Sequence, residues 1–178
     1  MLELLKSRQS AREYNNTPLE EEKLMQVLEA ARMAPSGKNA QPWQFIVVKD
    51  VNTRQKLAQA DHNQQWMMQA PVMIVCVADA AAHAQQELTF VDEDTADMGL
   101  KRAIRDTSIA IDHMMLQAES MALATCWTGW YLQKDVRPIL QIPENQFVVG
   151  IVTVGYSDTP KRPKKRKDLQ EIVHYEKW

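Results

Sequence analysis

The run Val72-Met73-Ile74-Val75-Cys76-Val77-Ala78 is apolar throughout and shows no alternation of apolar and polar positions. Such a run is typical of a β-strand that is buried on both faces. A second run of the same character, FVVGIVTVG, covers Phe147–Gly155. The two runs predict strands inside a sheet that other elements cover.

Helical patterns lie between and around these strands. Thr17 is a predicted N-cap, Pro18 the first helical position, and Glu20 stands three residues after the cap. A longer helix is predicted from about residue 96 to residue 123, and it is apolar on more than one side, so its own domain or a partner subunit must cover it. The other predicted elements are helices at 3–9, 52–60 and 135–140 and a strand at 44–48. This alternation predicts one layered α/β or α+β domain over residues 1–178.

Composition bounds the function. The chain has 178 residues, 45% of them hydrophobic and 25% charged, with a formal net charge of -2. That balance produces no overall field that would favour nucleic acid or a membrane surface as partner. No apolar run approaches the roughly 20 residues that span a bilayer, and no signal-peptide pattern opens the chain. We therefore expect a cytoplasmic protein.

Several familiar site types are missing from the sequence. Cys76 and Cys126 lack Cys-x-x-Cys spacing, and the four histidines show no metal-ligand spacing, so we expect no metal site. Gly37-Lys38 resembles the end of a phosphate-binding P-loop, but Arg32 stands where that motif requires glycine. The five glycines cannot form G-x-G-x-x-G, and there is no G-x-S-x-G. A bound phosphate would therefore be held by side chains.

Three short segments offer such side chains. Arg8-Gln9-Ser10-Ala11-Arg12 carries two guanidinium groups, which grip phosphate oxygens in bidentate fashion. Pro35–Asn39 is a polar turn, and Lys161–Lys167 is a basic run. Each also has a plainer interpretation, namely a solvated helix face, a connector and a solvated charge run. A nucleic-acid patch at Lys161–Lys167 is disfavoured, because an apolar, aromatic tail follows it directly.

Two further segments stand out. Residues 87–97 carry five carboxylates and are interpreted as a mobile surface segment or variable lid. Residues 159–178 form a C-terminal tail that ends in apolar and aromatic residues. That tail needs a surface on which to lie.

Taken in order, these segments resemble the nitroreductase family of FMN-dependent oxidoreductases. The resemblance is carried by R-x-S-x-R at Arg8–Arg12 and by the stretch EAARMAPSGKNAQPW at 29–43. Thr125-Cys126-Trp127, Val154-Gly155-Tyr156 and Arg166-Lys167 with the tail VHYEKW complete it. The match covers nearly the whole chain.

The resemblance implies an α+β fold, a three-layer sandwich with a central mixed, mostly antiparallel sheet flanked by helices. It also implies an intertwined homodimer that holds FMN at the subunit interface, with Pro35, Ser36 and Asn39 supplied by the other subunit. In this frame Gln64 is a candidate for the flavin's polar edge. The candidate cofactor-binding residues are Arg8, Gln9, Ser10, Arg12, Pro35, Ser36, Gly37, Asn39, Gln64, Trp127, Thr128, Gly129, Lys164 and Arg166.

The implied activity is hydride transfer from NAD(P)H through flavin N5 to a nitroaromatic, quinone or flavin acceptor in a ping-pong scheme. The cofactor carries this chemistry, so no catalytic side chain is expected. The alternative is a flavin-binding carrier or sensor without turnover. The chain departs from the family pattern at Gln9, where many relatives have a basic residue, and at Ala122 and Ala124, where glycine is common.

Overall fold

The structure is a computed structural model, and it describes residues 2–83 and 88–178. Its helices are α1 (Leu2–Ser7), α2 (Glu21–Arg32), α3 (Val51–Ala60), α4 (Met98–Ser120), α5 (Gln133–Leu140) and α6 (Leu169–Ile172). Its strands are β1 (Trp43–Val48), β2 (Val72–Asp79), β3 (Ala124–Thr128) and β4 (Gln146–Gly155). Short 3₁₀ turns lie at Gly37–Asn39, Gln65–Gln69 and Ala80–Ala82. Both buried strands predicted from apolar runs are confirmed.

The four strands form one sheet in the order β1-β2-β4-β3, and each neighbouring pair is antiparallel. A parallel contact is added by the N-terminal segment, where Ser10 forms a bridge with Thr125 on the edge strand β3. The sheet is therefore mostly antiparallel, as expected.

The sheet lies between two helical layers. Alternate residues of β2 serve opposite faces, because successive side chains of a strand point to opposite sides. Val72, Ile74 and Cys76 join a core with α2 and α4, whereas Met73 and Val75 join a core with α3 and α5. This is the predicted three-layer α+β sandwich.

The predicted start of α2 is wrong. The helix begins at Glu21 rather than after Thr17, and Glu20 has an extended backbone. Tertiary contacts explain the delay, since the Asn15 N–H donates to the Tyr156 carbonyl and the Tyr156 hydroxyl donates to Glu20. Residues 15–20 thus follow the end of β4 instead of forming a helical turn.

The C-terminal tail contributes little to the core of its own subunit. No residue of α6 is buried, and Tyr175 and Trp178 are 85% and 102% exposed. Met98 and Ile109 on α4 are also exposed. The homodimer stays a prediction. No helix in the described part of the chain has both the length and the apolar character needed to cross a membrane, and the cytoplasmic location is untested.

The described part of the acidic segment, 88–97, is anchored at its middle. Val91 is fully buried, its N–H donates to the Glu144 carbonyl, and its carbonyl accepts from Arg137 at 2.7 Å. Glu87 lies outside the described residues. A lid role for 87–97 stays a prediction.

Candidate functional site

The N-terminal segment lies along the beginning of β3. The Ala11 N–H donates to the Thr125 carbonyl at 2.9 Å, next to the Ser10–Thr125 bridge. Burial raises the pKa of the Cys126 thiol, while the charges of Arg12 and Arg8 act in the opposite direction. Both guanidinium groups therefore lie close enough to β3 for their charges to act on the Cys126 thiol.

The C-terminal tail crosses the same region. The Arg162 N–H donates to Gln9 Oε1 at 3.1 Å, and Lys164 Nζ donates to the Leu5 carbonyl at 2.6 Å. Glu119, at the end of α4, pairs with Lys161 and accepts from Ser7 Oγ. These contacts hold the basic part of the tail against the N-terminal segment that carries Arg8.

We call Arg8, Arg12, Lys164 and Arg166 the cationic group. Partial desolvation, and then the positive charges of Arg8 and Arg166, lower the pKa of Lys164. Within residues 2–83 and 88–178, no carboxylate forms an ion pair with any member of the group. The region therefore carries positive charge that an anion could neutralise.

A cleft of about 230 Å³ separates the N-terminal segment from the tail. Gln9, Ser10, Arg12 and Arg162 are among the residues that line it. Pockets for small ligands usually measure roughly 300–1,000 Å³. The cleft of one subunit is thus small for a whole cofactor.

At the other end of β3 lies a set of hydrogen-bonded side chains that we call the Asp61 network. Asp61 is fully buried; its Oδ1 accepts from the Trp130 N–H at 2.8 Å, and its Oδ2 accepts from Gln64 Nε2 and from the Thr128 hydroxyl. Gln64 Nε2 also donates to Thr128 Oγ1 at 3.0 Å, and Gln64 Oε1 accepts from Trp66 Nε1 at 2.9 Å.

A cation–π contact connects this network to Arg12, and a close packing contact fixes the neighbouring Trp127. The Arg12 guanidinium lies 5.7 Å from the centre of the Trp66 ring, a cation–π distance. The Trp127 side chain, one residue before Thr128, lies over Gly150 of β4. A Cβ at Gly150 would come within 2.6 Å of Trp127 Cδ1, so glycine is required for the ring to lie there.

The turn at Pro35–Asn39 is not brought to the cationic group within one subunit. The Gly37 N–H donates to Asp106 Oδ2 at 3.0 Å, and His83 Nε2 contacts the same oxygen at 2.8 Å. Asp106 precedes Glu119 by thirteen residues of α4, which is about 20 Å at 1.5 Å per residue. Within the chain, Pro35, Ser36, Gly37 and Asn39 therefore do not meet the cationic group.

Sequence reasoning missed three residues of this region, namely Asp61, Trp66 and Glu119. Each is joined to partners far away in the chain, as Asp61 is to Thr128 and Glu119 is to Lys161. The only local signal was a polar turn, Asp61-His62-Asn63, at the end of a helix. Among the described residues, His, Cys, Asp and Glu form no group of three that could hold a metal ion.

Comparison with known proteins shows which family and which fold this chain resembles. The model of the nitroreductase family matches residues 5–156. A protein of Archaeoglobus fulgidus, provisionally named NADH dehydrogenase/NAD(P)H nitroreductase, is 31% identical, with 99% of this chain and 98% of that protein covered. An FMN reductase [NAD(P)H] of Bacillus subtilis is 28% identical, covering 100% of this chain and 75% of the relative. The structure of an FMN-dependent nitroreductase from Clostridium difficile R20291 superimposes with a TM-score of 0.83 at 30% identity, and all of both chains is covered.

Proposed function

The chain belongs to the nitroreductase family, and we propose that it is an FMN-dependent oxidoreductase that takes its electrons from NAD(P)H. The observation that carries the proposal is the cationic group, in which Arg8 comes close to Lys164 and Arg166 from the other end of the chain; Arg12 follows four residues after Arg8 on the same segment. The names of the relatives from Bacillus subtilis and Clostridium difficile support FMN as the cofactor.

The donor set suits the phosphate of FMN. Arginine and lysine side chains form charge-assisted hydrogen bonds to phosphate, which are about twice as strong as neutral ones. Partial desolvation, and then the positive charges of Arg8 and Arg166, lower the pKa of Lys164, and a phosphate dianion would relieve the repulsion among these charges. In this proposal Ser10 and Gln9 add neutral contacts to the phosphate and ribityl chain.

The isoalloxazine ring is proposed to lie along β3, away from the cationic group. Trp127, Thr128 and Gly129 would lie against the ring, and Gln64 would face its polar edge. Bound FMN would supply a hydride acceptor for NAD(P)H, at N5, and an electron donor for a second substrate. The residues of this chain hold the cofactor and keep one ring face accessible.

A second subunit would complete this site. The polar turn is separated from the cationic group of its own subunit by about 20 Å along α4. The turn includes Pro35, Ser36, Gly37 and Asn39. The tail leaves large apolar side chains such as Tyr175 and Trp178 exposed. We infer an intertwined homodimer in which each FMN contacts both subunits.

The acceptors we propose are nitroaromatic compounds, quinones and free flavin, reduced in a ping-pong scheme in which NAD(P)H leaves before the acceptor binds. Steady-state rates measured at several fixed acceptor concentrations should give parallel double-reciprocal lines. Intersecting lines would refute this order of binding and leave the cofactor assignment intact.

The cofactor assignment is tested by the double variant Arg8→Ala/Arg166→Ala. Each charged contact is worth about 1.5–3 kcal/mol, so we expect the variant to lose FMN during purification. The matched control is Lys56→Ala/Lys134→Ala, which removes two exposed cations from α3 and α5 and should stay yellow. Full FMN retention in the first variant would disprove the phosphate site.

A second measurement separates an enzyme from a flavin carrier or sensor. NADH added to the holoprotein without oxygen should bleach the yellow flavin band, and a quinone should restore it. A flavin band that persists with both NADH and NADPH would favour the carrier.

A further inference from the structure

Asp61 is a buried carboxylate that the proposed reaction does not use. It is fully buried, and no cation pairs with it among residues 2–83 and 88–178. Three donors satisfy it instead, from Gln64, Thr128 and the Trp130 backbone. A buried charge held only by neutral donors is costly, so its position beside a proposed flavin residue needs an explanation.

The network fixes the orientation of the Gln64 amide from two sides. A carboxylate only accepts hydrogen bonds, so the Gln64 group facing Asp61 must be the NH₂ group. An indole nitrogen only donates, so the Gln64 group facing Trp66 must be the carbonyl oxygen. Both contacts therefore select the same orientation.

This orientation leaves Gln64 with one kind of unused capacity. Its two N–H groups are taken by Asp61 and Thr128, and one of the two lone pairs on Oε1 is taken by Trp66. What Gln64 can still offer a ligand is a single acceptor. The ligand atom that meets it must carry a hydrogen, and the oxidised isoalloxazine ring has one N–H, at N3.

We propose that Asp61 is a positioning residue of the flavin site: it holds Gln64 so that the outward-facing group is an acceptor for the flavin N3–H. This inference rests on the proposed FMN function. Asp61 itself touches neither flavin nor substrate.

The substitution Asp61→Asn reverses this arrangement. The new side chain must keep its oxygen toward the Trp130 N–H, so its NH₂ group replaces Oδ2 and faces Gln64. Two NH₂ groups then oppose each other, and Gln64 must turn its oxygen inward and present N–H groups outward. A donor would then face the N–H of the ring.

The test is the binding of FMN and of 3-methyl-FMN, in which a methyl group replaces the N3 hydrogen. We expect the wild-type protein to bind FMN about tenfold more tightly than 3-methyl-FMN, and Asp61→Asn to reduce this ratio below about threefold. Asp50→Asn is the matched control, because Asp50 caps the opposite end of α3 and accepts the Thr53 N–H. It should keep the tenfold ratio.

The outcomes separate the inference from the function. A wild-type protein that binds neither flavin refutes the proposed function. A wild-type protein that binds both flavins equally, or an Asp61→Asn variant that keeps the full ratio, refutes only the role of Asp61. Weakened folding alone would change both affinities together and leave their ratio unchanged.

A second variant covers the case in which Asp61→Asn does not fold. Trp66→Phe removes the indole N–H that faces Gln64 Oε1 but leaves Asp61 in place. If Asp61 sets the amide orientation, this variant keeps the tenfold ratio. A ratio that falls toward one would assign the orientation to Trp66 and refute the proposal.

Discussion

The cationic group and the Asp61 network lie near opposite ends of β3, and their polar groups differ in one respect. The cations of Arg8, Lys164 and Arg166 face one another, without carboxylate partners in the part of the chain that the structure describes. Asp61 is buried, and its carboxylate accepts from three donors. The cationic group therefore lacks a counter-charge, whereas the hydrogen bonds of the Asp61 carboxylate are already formed without a ligand.

This difference predicts that folding stability and cofactor affinity depend on different residues. Removing a member of the Asp61 network leaves buried donors without acceptors, and such donors cost folding free energy. Removing a cation from the like-charged group removes a proposed contact to the cofactor phosphate and, in the flavin-free protein, exposed hydrogen bonds such as that of Lys164 to the Leu5 carbonyl. The following predictions test this separation, from the largest expected effect to the smallest.

Asp61→Ala should produce the largest loss of stability. It leaves donors of Gln64, Thr128 and Trp130 without an acceptor, and we expect about 3 kcal/mol less free energy of unfolding. Urea unfolding of the flavin-free protein measures this change in the free energy of unfolding. Asp50→Ala, which removes an N-cap from the same helix, should cost about 1 kcal/mol. Equal losses of unfolding free energy in the two variants would show that the Asp61 network stabilises the fold no more than an ordinary helix cap does.

Gly150→Ala should destabilise the region between the two ends of β3. The new methyl group would lie 2.6 Å from Trp127 Cδ1, and overpacking of this kind costs about 1–3 kcal/mol. Trp127 must move, so tryptophan fluorescence of the folded protein should change as well. At Gly129 the added Cβ would meet only the Val149 carbonyl, at 3.7 Å. Gly129→Ala is therefore the control, and similar losses of stability in both variants would contradict the packing argument.

The sequence predicted the layers of the fold well and the contacts between distant segments poorly. The runs that became β2 and β4 are apolar at nearly every position, and burial on two faces is what such runs encode. The predicted start of α2 was wrong because Thr17-Pro18 fits a helix cap locally, whereas contacts with Tyr156 hold Asn15 and Glu20 outside the helix. The local preference for a helix start at Thr17 was outweighed by hydrogen bonds to Tyr156, about 140 residues away.

The candidate site shows the same division. The sequence analysis grouped five residues as ligands of one cofactor because the resemblance to a family implies that they lie close together. These are Arg8, Ser10, Arg12, Lys164 and Arg166. Asp61 could not be predicted, since a single aspartate after a helix looks like any polar turn. Its role depends on Thr128, which the sheet brings within hydrogen-bonding distance across 67 positions of sequence.

Lys164→Ala should affect affinity without affecting stability. The loss of one charged contact to phosphate corresponds to about 1.5 kcal/mol, or roughly tenfold weaker FMN binding. Stability of the flavin-free protein should change by no more than about 0.5 kcal/mol, because the hydrogen bond that Lys164 donates to the Leu5 carbonyl is exposed to solvent. Flavin titration and urea unfolding of the same preparation measure both quantities. A loss of stability as large as that of Asp61→Ala would remove the distinction between the two regions.

Ala122→Gly should produce the smallest effect, and a favourable one. Ala122 follows α4 with a φ of 59°, and the N–H groups of Ala122 and Leu123 donate to the carbonyls of Glu119 and Ala118. This is a Schellman C-cap, in which glycine is preferred at the left-handed position.

Relief of the left-handed strain outweighs the greater freedom of an unfolded glycine, so we expect a gain of about 0.5 kcal/mol. In a protein of this size the gain corresponds to a rise of about 1–2 °C in the melting temperature. Ala124→Gly is the control, because Ala124 lies in β3, where glycine weakens a strand. Its melting temperature should fall. A fall in the melting temperature of both variants would show that the left-handed backbone at position 122 is not strained by alanine.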